Sequence, residues 1–415
     1  MNWLTLLFVA AVIGETAVRL WLASRQIAAV QAHRDRVPDA FAGRIALADQ
    51  VKAADYSVAR VRLGRWSTLV DALLTLGFTV GGGLAAADAL IRLWRWPEPW
   101  QGCMVIVCVL LVLQLLRLPI ALWRTFRLEA RFGFNRTSPR LFAVDAVKGL
   151  VLALVLGVPL ALAAVSLMER AGPWWWTWAW LVWVGTTVVL SWAAPRFLAP
   201  LFNRFSPIAD GALKQRVQTL LERCGFSAAG GVFVMDGSRR SAHGNAYFTG
   251  IGRNKRIVFF DTLLARIEVN EIEAVLAHEL GHFRLHHVRQ RLITSLLGSL
   301  AGLALLGFAA RRPEFYAAFG VPPTAAMALL LFAIIVPPFT FFATPLASWW
   351  SRRQELAADD YAAAHASAAD LITALTKLYR DNATTLTPDR VHSAFYDSHP
   401  SAVDRIARLQ RLAPR

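Results

Sequence analysis

Long apolar runs dominate the pattern of the chain. Seven of them, at 3–22, 67–91, 102–123, 149–168, 173–194, 291–310 and 324–348, are long enough to cross a bilayer, which takes about 20 mainly apolar residues. They predict seven transmembrane helices. Elsewhere the pattern changes. Ile272, Val275, Leu276 and Leu280 recur at helical spacing and predict an amphipathic helix, with Asn270 as its cap and Glu273 as the capping-box acid. Residues 243–249 and 255–260 read as two short strands joined by 250–254. The organisation that follows is a membrane region at 1–194, a polar segment at 195–290, a membrane hairpin at 291–348 and a second polar segment at 349–415.

The spans are not uniformly apolar. Glu15, Asp71, Asp88, Gln114 and Arg117 lie in or near them. Ionisable groups at that depth face protein or a water-filled cavity, because facing lipid costs several kcal/mol; pairing between spans or a place near the interface serves equally. Gly77-x-x-x-Gly81 and Gly298-x-x-x-Gly302 predict close helix contacts. Pro119, Pro159 and Pro337-Pro338 predict kinks, and the tryptophans of 173–183 an interfacial belt.

Composition supports the membrane reading. Of 415 residues, 56% are hydrophobic and only 17% charged, against about half and about a quarter in soluble domains. Lipid has to cover the excess, which excludes a soluble enzyme and a disordered chain. The formal charge of +16 comes from Lys and Arg in the long connections at 23–66, 124–148, 195–290 and after 349, while 92–101, 169–172 and 311–323 hold few. The long basic segments then share one face, which the positive-inside rule assigns to the cytoplasm. That placement speaks for a lipid bilayer and against nucleic acid as the partner. Arg19 and Arg25 follow the first run, and no basic residue precedes it, so this run reads as a retained anchor with its N-terminus outside. Cys103, Cys108 and Cys224 are odd in number and form no CxxC, so neither a disulfide framework nor a cysteine zinc site is expected.

The chemistry gathers in His278-Glu279-Leu280-Gly281-His282. On a helix, two histidines four residues apart project from one side and can bind one Zn²⁺, with Glu279 beside them to act on a water. The competing reading is a pair of surface histidines on an amphipathic helix. A catalytic zinc takes a third protein ligand. The HExxHxxGxxH extension is absent, because Leu285 and Val288 occupy its Gly and His positions. The next acid on the same membrane face is Glu355, carried back by the hairpin between the two segments. His286 and His287 are further candidates. Asp359, one turn beyond Glu355, can orient a ligand histidine or simply solvate its helix face.

These residues, in this order, resemble the M48 metalloproteases, and within them the CAAX prenyl protease 1 (Ste24 endopeptidase) group. The resemblance runs from Tyr56, Ala59 and Arg60 through Phe126, Glu129, Phe132-Gly133-Phe134-Asn135 and Thr137 to Pro200-Leu201-Phe202-Asn203. It continues through Ser238-Arg239-Arg240-Ser241, Asn245-Ala246-Tyr247-Phe248, Lys255-Arg256-Ile257-Val258 and Asp261-Thr262-Leu263-Leu264 to Glu355, Asp359, His399-Pro400 and Arg405. It implies an α-helical membrane protein whose seven transmembrane helices enclose a water-filled chamber. A cytoplasmic gluzincin-type zinc protease domain with a small β-sheet would close one end.

The implied activity is a zinc endopeptidase with one Zn²⁺ on His278, His282 and Glu355. Glu279 would be general base, His399 and Arg405 would serve the oxyanion, and Asn245 would hold the substrate backbone. Its partners would be peptide or protein substrates, prenylated or membrane-associated. The Ala- and Arg-rich composition points to a bacterial inner membrane; a eukaryotic source would imply the endoplasmic reticulum. Two other readings stand beside it: a quality-control protease for damaged or stalled proteins, and a transporter or lipid-binding protein with a structural zinc.

Overall fold

The computed structural model describes residues 2–226, 230–249 and 256–413. The first half is helical: α1 (Trp3–Ala32), α2 (Leu47–Phe78), α3 (Gly83–Arg92), α4 (Trp100–Trp123), α5 (Pro139–Arg170) and α6 (Trp175–Ala193). A mixed segment follows: α7 (Ala199–Phe202), β1 (Phe205–Pro207), α8 (Ala212–Arg223), β2 (Val232–Met235), β3 (Ala246–Thr249), β4 (Arg256–Phe260), α9 (Asp261–Leu264) and α10 (Val269–Arg284). The hairpin is α11 (His287–Ala309), the short α12 (Pro313–Ala317) and α13 (Ala325–Thr340). The chain ends with α14 (Thr344–His365), α15 (Ala368–Asp381), α16 (Arg390–Tyr396) and α17 (Ala402–Leu412).

Among the described residues, six helical stretches are long and apolar enough to span a membrane, and α2 with α3 makes a seventh as a pair bent by 55°. The run at 67–91 is therefore broken. Gly82 turns the chain with φ +79°, and a Cβ on Gly81 would lie 2.7 Å from the Gly77 carbonyl oxygen. Only glycine suits such a turn. Gly77 and Gly81 thus build this bend instead of a helix contact. A Cβ on Gly298 would meet open space; one on Gly302 would touch the Phe332 ring of α13 at 3.8 Å. The run at 324–348 is also divided. α13 ends soon after Pro337-Pro338, and a 3-10 turn at Phe341–Ala343 leads into α14. Helices α4 and α5 continue through Pro119 and Pro159. The tryptophan belt is partial, since Trp174, Trp178 and Trp183 are exposed while Trp175 is buried.

The short connections meet at one end, as the charge pattern requires. Thr5 donates to the Ala318 carbonyl at 2.6 Å, Asn2 to that of Glu314 at 3.4 Å, and Arg311 to that of Pro173. Between the spans, Glu15, Arg19, Asp71 and Arg117 line a cavity of about 370 Å³. Arg117 pairs with Asp71 at 2.8 Å and Arg19 with Glu15 at 2.7 Å, so these charges both pair and face a cavity. Asp88 is buried and paired with Arg92 at 2.7 Å; Gln114 is exposed on α4.

At the opposite end sits a four-stranded sheet in the order β1-β2-β4-β3, with β2 and β4 parallel and both outer strands antiparallel to their neighbours. Ile257 and Phe259 of β4 pack into one core with Leu276 and Leu280 of α10 and Ile406 of α17. β3 starts three residues later than the sequence predicts, β4 covers all the described residues of its predicted strand, and residues 250–255 lie outside the described set. Before β3, the Gly244 amide donates to the Asn382 side chain at 3.1 Å, and that side chain donates back to the Gly244 carbonyl at 3.3 Å. A side chain satisfies the backbone there, so no ladder forms. Helix α10 starts one residue before Asn270. Its capping box is Glu268 with Glu271, whose carboxylate accepts from the Glu268 amide at 2.7 Å. Asn270 instead bonds Asp370, and Glu273 pairs with Arg216 at 3.0 Å and with Arg223.

Candidate metal centre

Helices α10 and α14 flank the membrane hairpin and pack against each other. Gly281 makes their approach possible: a Cβ there would lie 3.1 Å from the Ala358 Cα and 3.1 Å from the Tyr361 Cβ. Any larger side chain would push α14 away. With α14 this close, Glu355 reaches both histidines. His278 Nε2 lies 3.4 Å from Glu355 Oε2 and His282 Nε2 lies 3.3 Å from Glu355 Oε1. One donor atom from each of the three falls within 4.8 Å of the others.

Two observations show that these residues fit a metal ion. Donors at about 2.0–2.2 Å from one tetrahedral zinc stand roughly 3.3 Å apart, which is the spacing found here. Glu355 Oε2 is also buried without a hydrogen-bond partner, and an unsatisfied buried carboxylate oxygen is costly unless something positive meets it. Burial works against its charge, yet the neighbouring imidazoles of His278 and His282 outweigh that and hold the Glu355 carboxyl below the ordinary range.

A second layer orients these ligands. His278 Nδ1 lies 2.8 Å from Asp359 Oδ1. Asp359, wholly buried, is gripped by Arg405 from Nε at 2.8 Å and from Nη2 at 2.6 Å. The sequence places Arg405 at the oxyanion; in the structure two of its guanidinium nitrogens bond Asp359. Burial raises the Asp359 carboxyl, but the bonds from Arg405 and His278 prevail and hold it low. On the other side, His282 Nδ1 and His287 Nδ1 are 3.0 Å apart. His287 is therefore a partner of a candidate ligand. His286 stands exposed at the break before α11, with φ +60°. The signal for His287 is its place one helix break beyond His282, which spacing rules for a continuous helix do not cover.

The remaining predicted residues fall around this cluster. Glu279 lies beside it with no hydrogen bond or ion pair among the described residues, and burial pushes its carboxyl above the ordinary carboxylate range. His399 Nε2 is 3.3 Å from Glu355 Oε2, and its Nδ1 is 2.9 Å from the Ser398 hydroxyl. Asn245 is exposed at the start of β3, where its side-chain oxygen accepts from the Ala246 amide at 2.9 Å.

The scattered sequence patterns also converge. Tyr56 donates to Glu129 at 2.8 Å, Asn135 bridges to Ser241, and Arg240 donates to Asn203 at 2.9 Å and to Asp145 at 2.8 Å. Ser238 donates its amide to Asp261 at 2.8 Å. Together these contacts tie the sheet to the membrane helices.

Such a fold and cluster define a multi-pass membrane metalloprotease. Residues 26–204 match the family described as CAAX prenyl protease N-terminal, five membrane helices, and residues 207–413 match peptidase family M48. The chain is 35% identical over 300 residues to a CAAX prenyl protease 1 homolog of Arabidopsis thaliana, covering 71% of this chain and 70% of that one. It is 33% identical to CAAX prenyl protease 1 of Saccharomyces cerevisiae over 72% of this chain and 70% of the relative. The crystal structure of S. mikatae Ste24p superposes with a TM-score of 0.91 at 27% identity, covering 99% of both chains. The chain belongs to the M48 family of zinc metalloproteases, with CAAX prenyl protease 1 proteins among its relatives.

Proposed function

We propose that the protein cuts peptide bonds at one zinc ion held by His278, His282 and Glu355, with Glu279 as general base. The observation that carries this is the convergence of two imidazole nitrogens and one carboxylate at 3.3–3.4 Å beside an unengaged, half-buried Glu279. His278, His282 and Glu355 would hold the zinc, which would supply Lewis-acid chemistry for a water and the scissile carbonyl.

The protein's own groups account for the rest. Glu279 takes the proton from water and later delivers it to the leaving amine. Its raised affinity for protons suits both transfers. His399 supplies a hydrogen-bond donor for the developing oxyanion, and Arg405 acts at a distance by fixing Asp359 and so His278. The free edge of β3 takes the substrate as an added strand, and Asn245 holds its backbone at the entrance.

The substrates are peptides or membrane-associated proteins, prenylated ones included, a class suggested by the names of the curated relatives. The basic connections favour a cytoplasmic active site, and the Ala- and Arg-rich composition favours a bacterial inner membrane. A mass-spectrometric comparison of membrane peptides from cells carrying the native protein or Glu279→Gln tests the reading. Peptides present only with the native protein support it, and indistinguishable peptide pools refute it.

A further inference from the structure

Two cavities of about 520 and 450 Å³ meet beside the entrance to β3, and both are lined by Tyr56, Arg60, Arg124 and Asn382. The larger is also lined by Asp397; in the smaller, which holds Arg60, Arg124 and Glu129, the charges do not balance. Glu129 accepts from the Tyr56 hydroxyl at 2.8 Å, stands 3.9 Å from Arg124 Nε and 3.9 Å from His243 Nε2. Arg60 rests over the Tyr56 ring at 5.4 Å and has no carboxylate within ion-pair reach among the described residues. In the smaller cavity one carboxylate thus faces two guanidiniums, and that cavity retains a positive charge.

The direction of the sheet says what arrives there. β3 is an outer strand that pairs antiparallel with β4 on one side. Antiparallel pairing is the more stable per residue, so a peptide added to the free edge runs against β3. Its C-terminal end then leaves past Ala246 toward His243, and His243 lines the smaller cavity with Arg60 and Arg124. Asn382 fixes this junction, since it grips Gly244 and its side-chain oxygen lies 3.3 Å from His243 Nδ1. Guanidinium groups match a carboxylate in shape as well as in charge.

We propose that Arg60 and Arg124 form a site for a carboxylate at the C-terminal end of the bound peptide. This rests on strand addition beside the metal centre and goes beyond it by naming what selects the peptide. The carboxylate is either the chain terminus or an acidic side chain near it.

Three versions of one fluorogenic peptide test it on the full-length, zinc-loaded protein: a free acid, a C-terminal amide, and an amide ending in Asp. The native protein is expected to show a KM for the free acid about tenfold to a hundredfold below that for the plain amide. Arg60→Gln and Arg124→Gln should each erase most of that ratio while cleaving the amide at the native rate, and Arg60→Lys should keep part of it. Low KM for the Asp-ended amide, lost in the same variants, assigns the side-chain source and still supports the site.

Equal KM values for acid and amide, or a preference surviving in both Gln variants, would overturn the proposal. So would loss of amide cleavage in both variants, which would give the arginines a role in folding or chemistry. Glu279→Gln is expected to cleave none of the three, so failure of the catalytic assignment shows separately as cleavage by that variant.

Discussion

Arg405 holds Asp359 through two parallel bonds of 2.8 and 2.6 Å, in a place where Asp359 has no contact with water and Arg405 almost none. Asp359 passes this restraint to His278. A residue near the C-terminal end of the chain thus sets the orientation of an imidazole more than a hundred residues earlier.

Removing Arg405 should therefore act on metal binding before chemistry. Arg405→Ala leaves a buried carboxylate unpaired, at about 3–5 kcal/mol of stability, and zinc affinity is expected to fall roughly 10–100-fold. Thermal unfolding and zinc titration measure the two effects. Unchanged zinc affinity with reduced kcat would instead return Arg405 to the oxyanion.

Glu279 and Glu355 should separate cleanly. Glu279→Gln is expected to abolish peptide cleavage and keep its metal, whereas Glu355→Ala should lose zinc by elemental analysis. Full activity in the first variant would remove Glu279 as base. Full zinc content in the second would pass the third ligand to another group.

His287 offers a subtler test. If His282 presents Nε2 to the metal, its Nδ1–H donates to His287 Nδ1, and that bond fixes the ring. His287→Ala should weaken zinc binding about tenfold, with little change in the peptide KM. A variant with native zinc affinity would leave His287 as packing alone.

Gly281→Ala sets two effects against each other. Alanine is the better helix former by about 1 kcal/mol, but its methyl would press on Ala358 and Tyr361 of α14, and overpacking costs about 1–3 kcal/mol. The packing effect is expected to win. Lower zinc occupancy and a lower Tm would show it, and a rise in Tm would not be compatible with the tight contact.

Much of this was readable from residue patterns because the strongest signals are local. Twenty apolar residues in a row need no tertiary partner to declare a span, and His278 and His282 declare their shared face by spacing. Glu355 was reachable because a hairpin returns the chain to its starting side. The bend at 79–82 was not, because glycines that turn a chain and glycines that let helices touch look alike in sequence. The cap of α10 was misplaced because Glu268 and Glu271 offer the same kind of box two residues earlier than Asn270 and Glu273. The bond from Arg405 to Asp359 has no sequence signal, since only coordinates show which carboxylate a guanidinium meets. Gly281 carries no signal of its own in the sequence, because its tight contact is with Ala358 and Tyr361, more than seventy residues away.

Helices α10 and α14, which carry the candidate metal ligands, are separated in the chain by the two last spans. During synthesis, the histidine half of the centre therefore emerges before the glutamate half exists, and the two can join only after the hairpin has been threaded through lipid. A newly made chain thus has the three candidate ligands in one place only once its last hairpin is folded.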